Sequence, residues 1–300
     1  MSEHRFALLV GYKRSGTTFL RGYFATHPQI ECRRAGYYLL ESAEPKRETY
    51  LREFETVKAE RVIDVCEHLA LGHILHNAEL WHARRFTPDA ACGEDVTTID
   101  PWLAARRVQR VTPEARILII LRNQVDWLRT HYRVFYDRLP PGQRRWCDFV
   151  STPEGRLVLD GGRYDGVIEA YQDLFGAERV HVMLLESLRD HQVETLRRLC
   201  DFLGVDYVAC DSATVPRNEG PRSGAVRLAR LRDALAVVPP LQALARSLGR
   251  PVRHLIERAA DGRDLFTGDE RRLLAAFYAA SNARTQRRTG QDLGRYGYPL

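Results

Sequence analysis

A short segment near the start of the chain combines the residue types that bind anions. The apolar run Phe6–Val10 leads into a loop that begins and ends with glycine, and small hydroxyl residues follow. The residues of this segment that bear on chemistry are Gly11, Lys13, Arg14, Ser15, Gly16, Thr17, Thr18 and Phe19. Glycine permits a tight turn and hydroxyl residues suit a helix start, so we expect strand, loop and helix in that order. The N–H groups of the helix start, with two cationic side chains beside them, would bind an anion.

The glycine spacing is that of a nucleotide triphosphatase loop, but one decisive residue differs. Gly11 and Gly16 are separated by four residues, and Thr17 stands where the triphosphatase pattern requires Lys. An ordinary triphosphate site is therefore not expected.

A second apolar strand also ends in a basic residue. The run Arg116–Leu121 is followed by Arg122 and by a helical pattern in which Thr130 lies eight residues further on. A triphosphatase would end this strand with an Asp that binds magnesium, so Arg122 favours anion binding without a metal. Both basic segments follow strand ends, where ligands gather in an open parallel sheet.

Strand and helix patterns alternate along the chain. Strands are predicted at Phe6–Val10, Arg116–Leu121 and Arg179–Leu184. Helices are predicted at Thr17–Thr26, Lys46–Lys58, Pro101–Val111, Gln124–Asp137, Gly162–Leu174, Gln192–Leu203, Ala225–Leu235 and Gly268–Thr289. This alternation predicts an α/β fold of three layers, with a central, mainly parallel sheet flanked by helices. The strand-poor region from about 210 to 300 is expected to form a helical cap and tail of a single domain that covers residues 1–300.

Composition narrows the class of protein. The net charge is +6, and nearly all of the 45 basic residues are Arg. The longest apolar run, Ile117–Leu121, is too short to span a bilayer, and no signal peptide is recognisable, so a cytoplasmic protein without a transmembrane segment is expected. The six cysteines lack metal-ligand spacing, and we expect reduced, mostly buried thiols at Cys32, Cys66, Cys92, Cys147, Cys200 and Cys210.

The two anion-binding segments together resemble the sulfotransferases that use 3′-phosphoadenosine 5′-phosphosulfate (PAPS), in particular the bacterial and carbohydrate types. Arg14 to Phe19 resembles the family's 5′-phosphosulfate loop, with Lys13 in place of its Pro. Arg122 resembles the Arg that binds the 3′-phosphate, and Thr130 takes the place of the accompanying Ser. The resemblance implies a P-loop-like fold and donor binding by Lys13, Arg14, Ser15, Gly16, Thr17, Thr18, Phe19, Arg122 and Thr130.

Weaker similarities extend over nearly the whole chain. They comprise His27-Pro28, the blocks Val182–Leu188 and Thr195–Gly204, which we interpret as core rather than chemistry, and the tail Gly290–Tyr298. A late loop at 215–224 resembles the one that closes over the donor in this family, which implies contacts from Arg217 or Arg222.

The implied reaction is in-line transfer of a sulfuryl group from PAPS to a hydroxyl or amine, without a metal. Arg14, the loop amides and the threonine hydroxyls would stabilise charge on the leaving group. Carbohydrate-type relatives use a Glu as general base, but Ala35 occupies that position here. Glu94 is the first candidate for the base, and the alternatives are Glu41, His68, His73 and His76.

Two other functions remain open from the sequence. One is a nucleoside or small-molecule kinase with a degenerate phosphate loop, which the missing Lys and the basic strand end disfavour. The other is a non-catalytic anion or nucleic-acid binder, and the Arg-rich second half offers few of the aromatics that such binding uses. We therefore expect a small-molecule, lipid or glycan acceptor and no nucleic-acid partner, and we leave a homo-oligomer open.

Overall fold

A computed structural model describes residues 6–36, 38–41, 44–66, 74–75, 96–97, 100–136, 145–210 and 266–300. Contacts divide the chain into two compact units. The first comprises Met1–Asn123, Arg163–Asn218 and Tyr278–Leu300, and the second comprises Gln124–Gly162 and Glu219–Phe277. The expectation of a single domain over residues 1–300 stays a prediction.

The first unit is built on a five-stranded sheet in which every pairing is parallel. The strands are β1 (Phe6–Gly11), β2 (Ile30–Arg33), β3 (Arg61–Cys66), β6 (Arg116–Leu121) and β7 (Val180–Leu184), and a separate antiparallel pair is formed by β4 (Ile74–Leu75) and β5 (Val96–Thr97). The order in the sheet is β2-β3-β1-β6-β7, so β1 is central and β6 is its neighbour. All six residues of β1 are buried, as expected for a strand with helices on both faces.

Helices cover the two faces of this sheet. Their bounds are α1 (Thr17–Thr26), α2 (Tyr38–Glu41), α3 (Arg47–Arg52), α4 (Pro101–Val111), α8 (Tyr164–Phe175), α9 (Leu185–Asp190) and α10 (Gln192–Leu203). A further helix, α11 (Gly268–Thr289), belongs to the first unit from Tyr278 onward. On one face the alternate strand residues Ala7 and Leu9 pack in a cluster with Leu20 of α1 and Leu199 of α10. On the other face Phe6 meets the ring of Tyr50 from α3. The α/β fold with helices around a parallel sheet is thus confirmed.

The second unit contains α5 (Gln124–Tyr136), α6 (Trp146–Ser151) and α7 (Pro153–Gly161). Thr152 caps α7, because its hydroxyl accepts a hydrogen bond from the Gly155 N–H at 3.0 Å. Tyr132, Trp146 and Phe266 form an aromatic cluster that packs these elements together.

Several predicted elements have the predicted bounds, and others differ. The helices at 17–26, 101–111, 192–203 and 268–289 and the strand at 116–121 are confirmed. The helix predicted at Lys46–Lys58 covers only Arg47–Arg52, and the strand predicted from Arg179 begins at Val180. The helix predicted at Gly162–Leu174 extends over Tyr164–Phe175, and the helix predicted at Gln124–Asp137 extends over Gln124–Tyr136. The sequence interpretation missed β2 and β3, because charged residues interrupt their apolar runs. The helix predicted at Ala225–Leu235 lies outside the described residues.

The prediction of mostly buried cysteines is wrong for the described ones. Cys66 and Cys200 are buried, whereas Cys32 and Cys210 are half-buried and Cys147 is exposed. All five are free thiols, and Cys92 lies outside the described residues. No helix in the described ranges is long and apolar enough to cross a membrane.

Candidate functional site

The loop between β1 and α1 has an unusual backbone. Arg14 has φ 71°, and it is the one non-glycine residue with positive φ in the described part of the chain. Gly16 follows with φ 94° and forms the N-cap of α1. The Ser15 N–H donates to the Tyr12 carbonyl at 3.1 Å, which closes a turn between the strand and the helix. Backbone strain of this kind concentrates at ligand-binding positions.

The Ser15 side chain is fully buried beside this turn. Its hydroxyl oxygen has no hydrogen-bond partner among the described residues. A buried hydroxyl without a partner carries a desolvation cost that a ligand oxygen would remove. The N–H groups in the first turn of α1 have no acceptor within the helix, and Gly16 has no side chain with which to cap them. These groups are donors of the kind that an anionic ligand can accept from.

The two loop glycines are required by close packing as well as by the turn. A Cβ atom at Gly11 would overlap the Thr17 Cγ2 atom, and one at Gly16 would lie 2.6 Å from the Leu185 Cδ1 atom. The sequence predicted the tight turn, and the structure adds the packing of the loop against Leu185 at the start of α9.

Arg122 is joined to this loop across the sheet. It follows the last residue of β6, and β6 pairs with β1 so that Ile120 lies opposite Gly11. The Arg122 Nη1 atom donates to the Arg14 carbonyl oxygen at 2.8 Å, and the Arg122 carbonyl accepts from the Tyr164 hydroxyl at 2.6 Å. Burial raises the pKa of Tyr164 above its ordinary value, so this hydroxyl stays a donor. The structure thus brings the two sequence-predicted anion-binding segments together.

The other predicted loop residues differ in exposure. Thr17 is buried, whereas Lys13, Arg14 and Thr18 are half-buried. The Phe19 ring packs against the core cluster beneath the sheet. Two cationic side chains and one threonine hydroxyl therefore lie at the partly solvated surface of the loop.

A buried polar network supports the turn after β6, and the sequence interpretation missed it. Glu186, interpreted as core, is 6% exposed and its carboxylate accepts from the Asn123 N–H at 2.9 Å and from the Tyr298 hydroxyl at 3.0 Å. The Asn123 side-chain amide donates to the carbonyls of Gly297 and Tyr296 at 2.7 and 3.3 Å. A charged residue inside the mainly apolar block Val182–Leu188 was the available signal.

A second buried carboxylate holds the segment that follows β2. Asp64 of β3 is fully buried, and it accepts hydrogen bonds from the Ala35 N–H at 2.8 Å and from the Tyr50 hydroxyl. Burial raises the pKa of Asp64, and the hydrogen bonds from Tyr50 and from backbone N–H groups oppose this rise. Asp64 thereby fixes the turn at Ala35.

Other candidate residues lie elsewhere. Thr130 belongs to the second unit, where its hydroxyl donates to the Asp126 carbonyl at 2.9 Å. Glu94, Arg217, Arg222, His68, His73 and His76 lie outside the described residues, as does the side chain of Glu41. His27 has a structural role, because its Nε2 atom lies 2.8 Å from the Asp206 carbonyl and its Nδ1 atom accepts from the Gln29 N–H. Within the described ranges, no group of side chains is arranged to hold a metal ion.

Comparisons with known proteins agree with this geometry. A family model described as "Sulfotransferase family" matches residues 7–209. The crystal structure of a sulfotransferase from Alicyclobacillus acidocaldarius is similar with a TM-score of 0.58 and 19% identity, over 97% of this chain and 98% of that one. The mouse sulfotransferase SULT7A1, solved in complex with PAP, is similar with a TM-score of 0.50 and 16% identity, over 99% of this chain and 90% of that one.

At these identities the two structures establish similarity of fold. Comparison with curated proteins gives no match. The family model, however, spans more than half of the 300 residues and includes both strand ends described above. The chain therefore belongs to the sulfotransferase family.

Proposed function

We propose that this protein transfers a sulfuryl group from PAPS to a hydroxyl or amine of an acceptor by in-line displacement. The 5′-phosphosulfate would bind at the β1–α1 loop and the 3′-phosphate at Arg122. The observation that carries this proposal is the convergence of the loop and Arg122 at one edge of the sheet, where the Arg122 guanidinium donates to the Arg14 carbonyl. Family membership favours this activity over the kinase and the non-catalytic binder.

The residues of the loop fit the donor's anionic groups. The buried Ser15 hydroxyl lacks a partner in the described ranges, and the first turn of α1 presents N–H groups and the positive end of the helix dipole. Lys13 and Arg14 add positive charge at the same place. When bound, PAPS supplies the sulfuryl group and leaves as adenosine 3′,5′-bisphosphate.

Each loop group has a distinct task in this proposal. Guanidinium does not release its proton near neutral pH, so Arg14 stabilises charge on the leaving oxygen without acting as an acid. The amides of the first helical turn and the hydroxyls of Thr17 and Thr18 orient the sulfonate oxygens and stabilise the charge that develops on them. The strained backbone at Arg14 is held by the hydrogen bond from Arg122, which keeps the loop in its binding conformation.

Several roles are proposed from the sequence resemblance alone. Glu94 would be the general base, Thr130 would assist Arg122, and Arg217 or Arg222 would contact the donor. The acceptor would be a small molecule, a lipid or a glycan. A cytoplasmic location belongs to the same set of proposals.

Isothermal titration with adenosine 3′,5′-bisphosphate tests the donor site without knowledge of the acceptor. We expect binding that is unchanged when EDTA replaces magnesium. Arg122→Ala should weaken it by about 10- to 100-fold, the range for loss of hydrogen bonds to a charged group. Arg198→Ala is the matched control, because Arg198 is an exposed arginine of α10 that pairs with Glu194 on its own helix.

Two outcomes would contradict the proposal. Binding of ATP with magnesium but not of the bisphosphate would support the kinase. Equal affinities in Arg122→Ala and Arg198→Ala would remove Arg122 from the site. If binding is as expected, radiolabelled PAPS then serves to screen phenols, glycans and lipids as acceptors.

A further inference from the structure

The C-terminal tail of the chain contacts the turn that carries Arg122. The Asn123 side chain donates to the carbonyl oxygens of Gly297 at 2.7 Å and Tyr296 at 3.3 Å. These bonds join residues more than 170 positions apart in the sequence. The conformation of the turn after β6 therefore depends on the last residues of the chain.

Glu186 makes a second connection between the same two segments. One carboxylate oxygen accepts from the Asn123 N–H at 2.9 Å, and the other accepts from the Tyr298 hydroxyl at 3.0 Å. Glu186 is 6% exposed and Tyr298 is 3% exposed, so water cannot readily replace either bond. Burial, followed by the nearby Glu186 carboxylate, raises the pKa of Tyr298, and its hydroxyl remains a donor.

The tail is itself firmly docked. Leu293 is fully buried, and the Asn282 side chain of α11 donates to the Pro299 carbonyl at 2.7 Å. Gly297 adopts φ 69°, a conformation that favours glycine and turns Tyr298 back toward the protein. The tail is thus a fixed support and can transmit its position to Asn123.

We propose that the tail segment Gly294–Tyr298 is a positioning element of the donor site, acting on Arg122 through Asn123 and Glu186. The inference rests on the proposed function, because Arg122 is taken there to bind the 3′-phosphate. Arg122 is held on its other side by the Tyr164 hydroxyl and reaches the Arg14 carbonyl. Loosening the tail should misplace its guanidinium and weaken binding of ligands that carry a 3′-phosphate. Tyr298 and Asn123 are positioning residues and need not touch the donor.

Tyr298→Phe is the sharpest variant, since it removes one hydroxyl and keeps the buried ring. We expect the dissociation constant of adenosine 3′,5′-bisphosphate to rise about tenfold, while that of adenosine 5′-monophosphate changes little. Tyr171→Phe is the matched control, because Tyr171 is also fully buried and its hydroxyl has no hydrogen-bond partner in the described part of the chain. Asn123→Ala is a second variant that removes the bonds to Gly297 and Tyr296 but keeps the backbone bond to Glu186.

A double-mutant cycle separates positioning from general loss of stability. In an Arg122→Ala background, Tyr298→Phe should cause no further loss of bisphosphate affinity, because the residue it positions is gone. Equal losses for the two nucleotides, or additive losses in the cycle, would overturn the inference. Unchanged affinity in Tyr298→Phe and Asn123→Ala would also overturn it while the proposed function stands. Failure of the wild-type protein to bind the bisphosphate would overturn the proposed function and this inference with it.

Discussion

Replacement of Gly16 by Ala tests the conformation of the anion-binding loop. Gly16 has φ 94° and ψ 6°, and an added Cβ would lie 2.6 Å from the Leu185 Cδ1 atom and 3.3 Å from the Ile120 Cδ1 atom. Holding a non-glycine residue in this backbone region costs about 1–2 kcal/mol. Forcing a methyl group against packed side chains costs about 1–3 kcal/mol, and the half-buried end of Leu185 can move to relieve part of it. We therefore expect Gly16→Ala to lower the free energy of unfolding by roughly 2–4 kcal/mol.

A second substitution separates the two contributions. In a Leu185→Ala background the 2.6 Å contact is removed and the 3.3 Å contact with Ile120 remains, so Gly16→Ala should cost mainly the backbone part, about 1–2 kcal/mol. Gly166→Ala serves as the control. Among the described residues, no atom beyond the neighbouring backbone of α8 lies within 4 Å of a Cβ at this position, and Ala is favoured over Gly inside a helix by up to about 1 kcal/mol.

Urea unfolding followed by circular dichroism measures these changes, and titration with the bisphosphate measures their effect on the loop. A stability loss below about 0.5 kcal/mol in Gly16→Ala would mean that the residue does not need a left-handed backbone. If Gly16→Ala lowers stability as much in the Leu185→Ala background as in the wild type, the loop does not pack against α9. Either result would refute the loop geometry on which the proposed donor site depends.

Two further predictions concern buried titratable groups. Burial, followed by the charge of Arg198, lowers the pKa of His181 to about 4. The unfolded chain therefore binds a proton more readily than the folded protein, and the free energy of unfolding should fall as the pH drops from 6.5 to 4. His181→Gln should flatten this dependence when urea unfolding is measured at a series of pH values. Identical pH profiles for the two proteins would contradict the assignment. Tyr50→Phe removes a donor to the buried Asp64 carboxyl and should cost about 1–3 kcal/mol. Burial raises the pKa of Asp64, and the Tyr50 bond opposes this rise by stabilising the charged carboxylate. The stability lost in Tyr50→Phe should therefore become smaller in acid, where the carboxyl is protonated. If the variant and the wild type have the same thermal unfolding at neutral pH, Tyr50 does not have this role.

The sequence was most informative where one short segment specifies its own structure. The runs Phe6–Val10 and Ile117–Leu121 are uninterrupted and apolar, which identifies strands that are buried on both faces. Asp100, followed by Pro101, marks the start of α4, and the Asp100 side chain accepts from the Leu103 N–H as a cap. Strand β3 was missed because Asp64 interrupts its apolar pattern, and the partners that make this carboxyl acceptable in the core come from other segments.

The candidate site likewise has residues that the sequence could identify and contacts that it could not. The glycines, the cationic side chains of the first loop and Arg122 could be identified from local residue types and from their positions at strand ends. The sequence could not identify the contact of Arg122 with the Arg14 carbonyl, or the support of Asn123 by Glu186 and the tail. These bonds join residues that are from 63 to 174 positions apart, and no local pattern specifies such a pairing. By itself the sequence determined which residues could bind an anion and that strands would carry them. Only the tertiary structure decided which distant groups hold them in place, because side-chain hydrogen bonds form where folding brings their partners together.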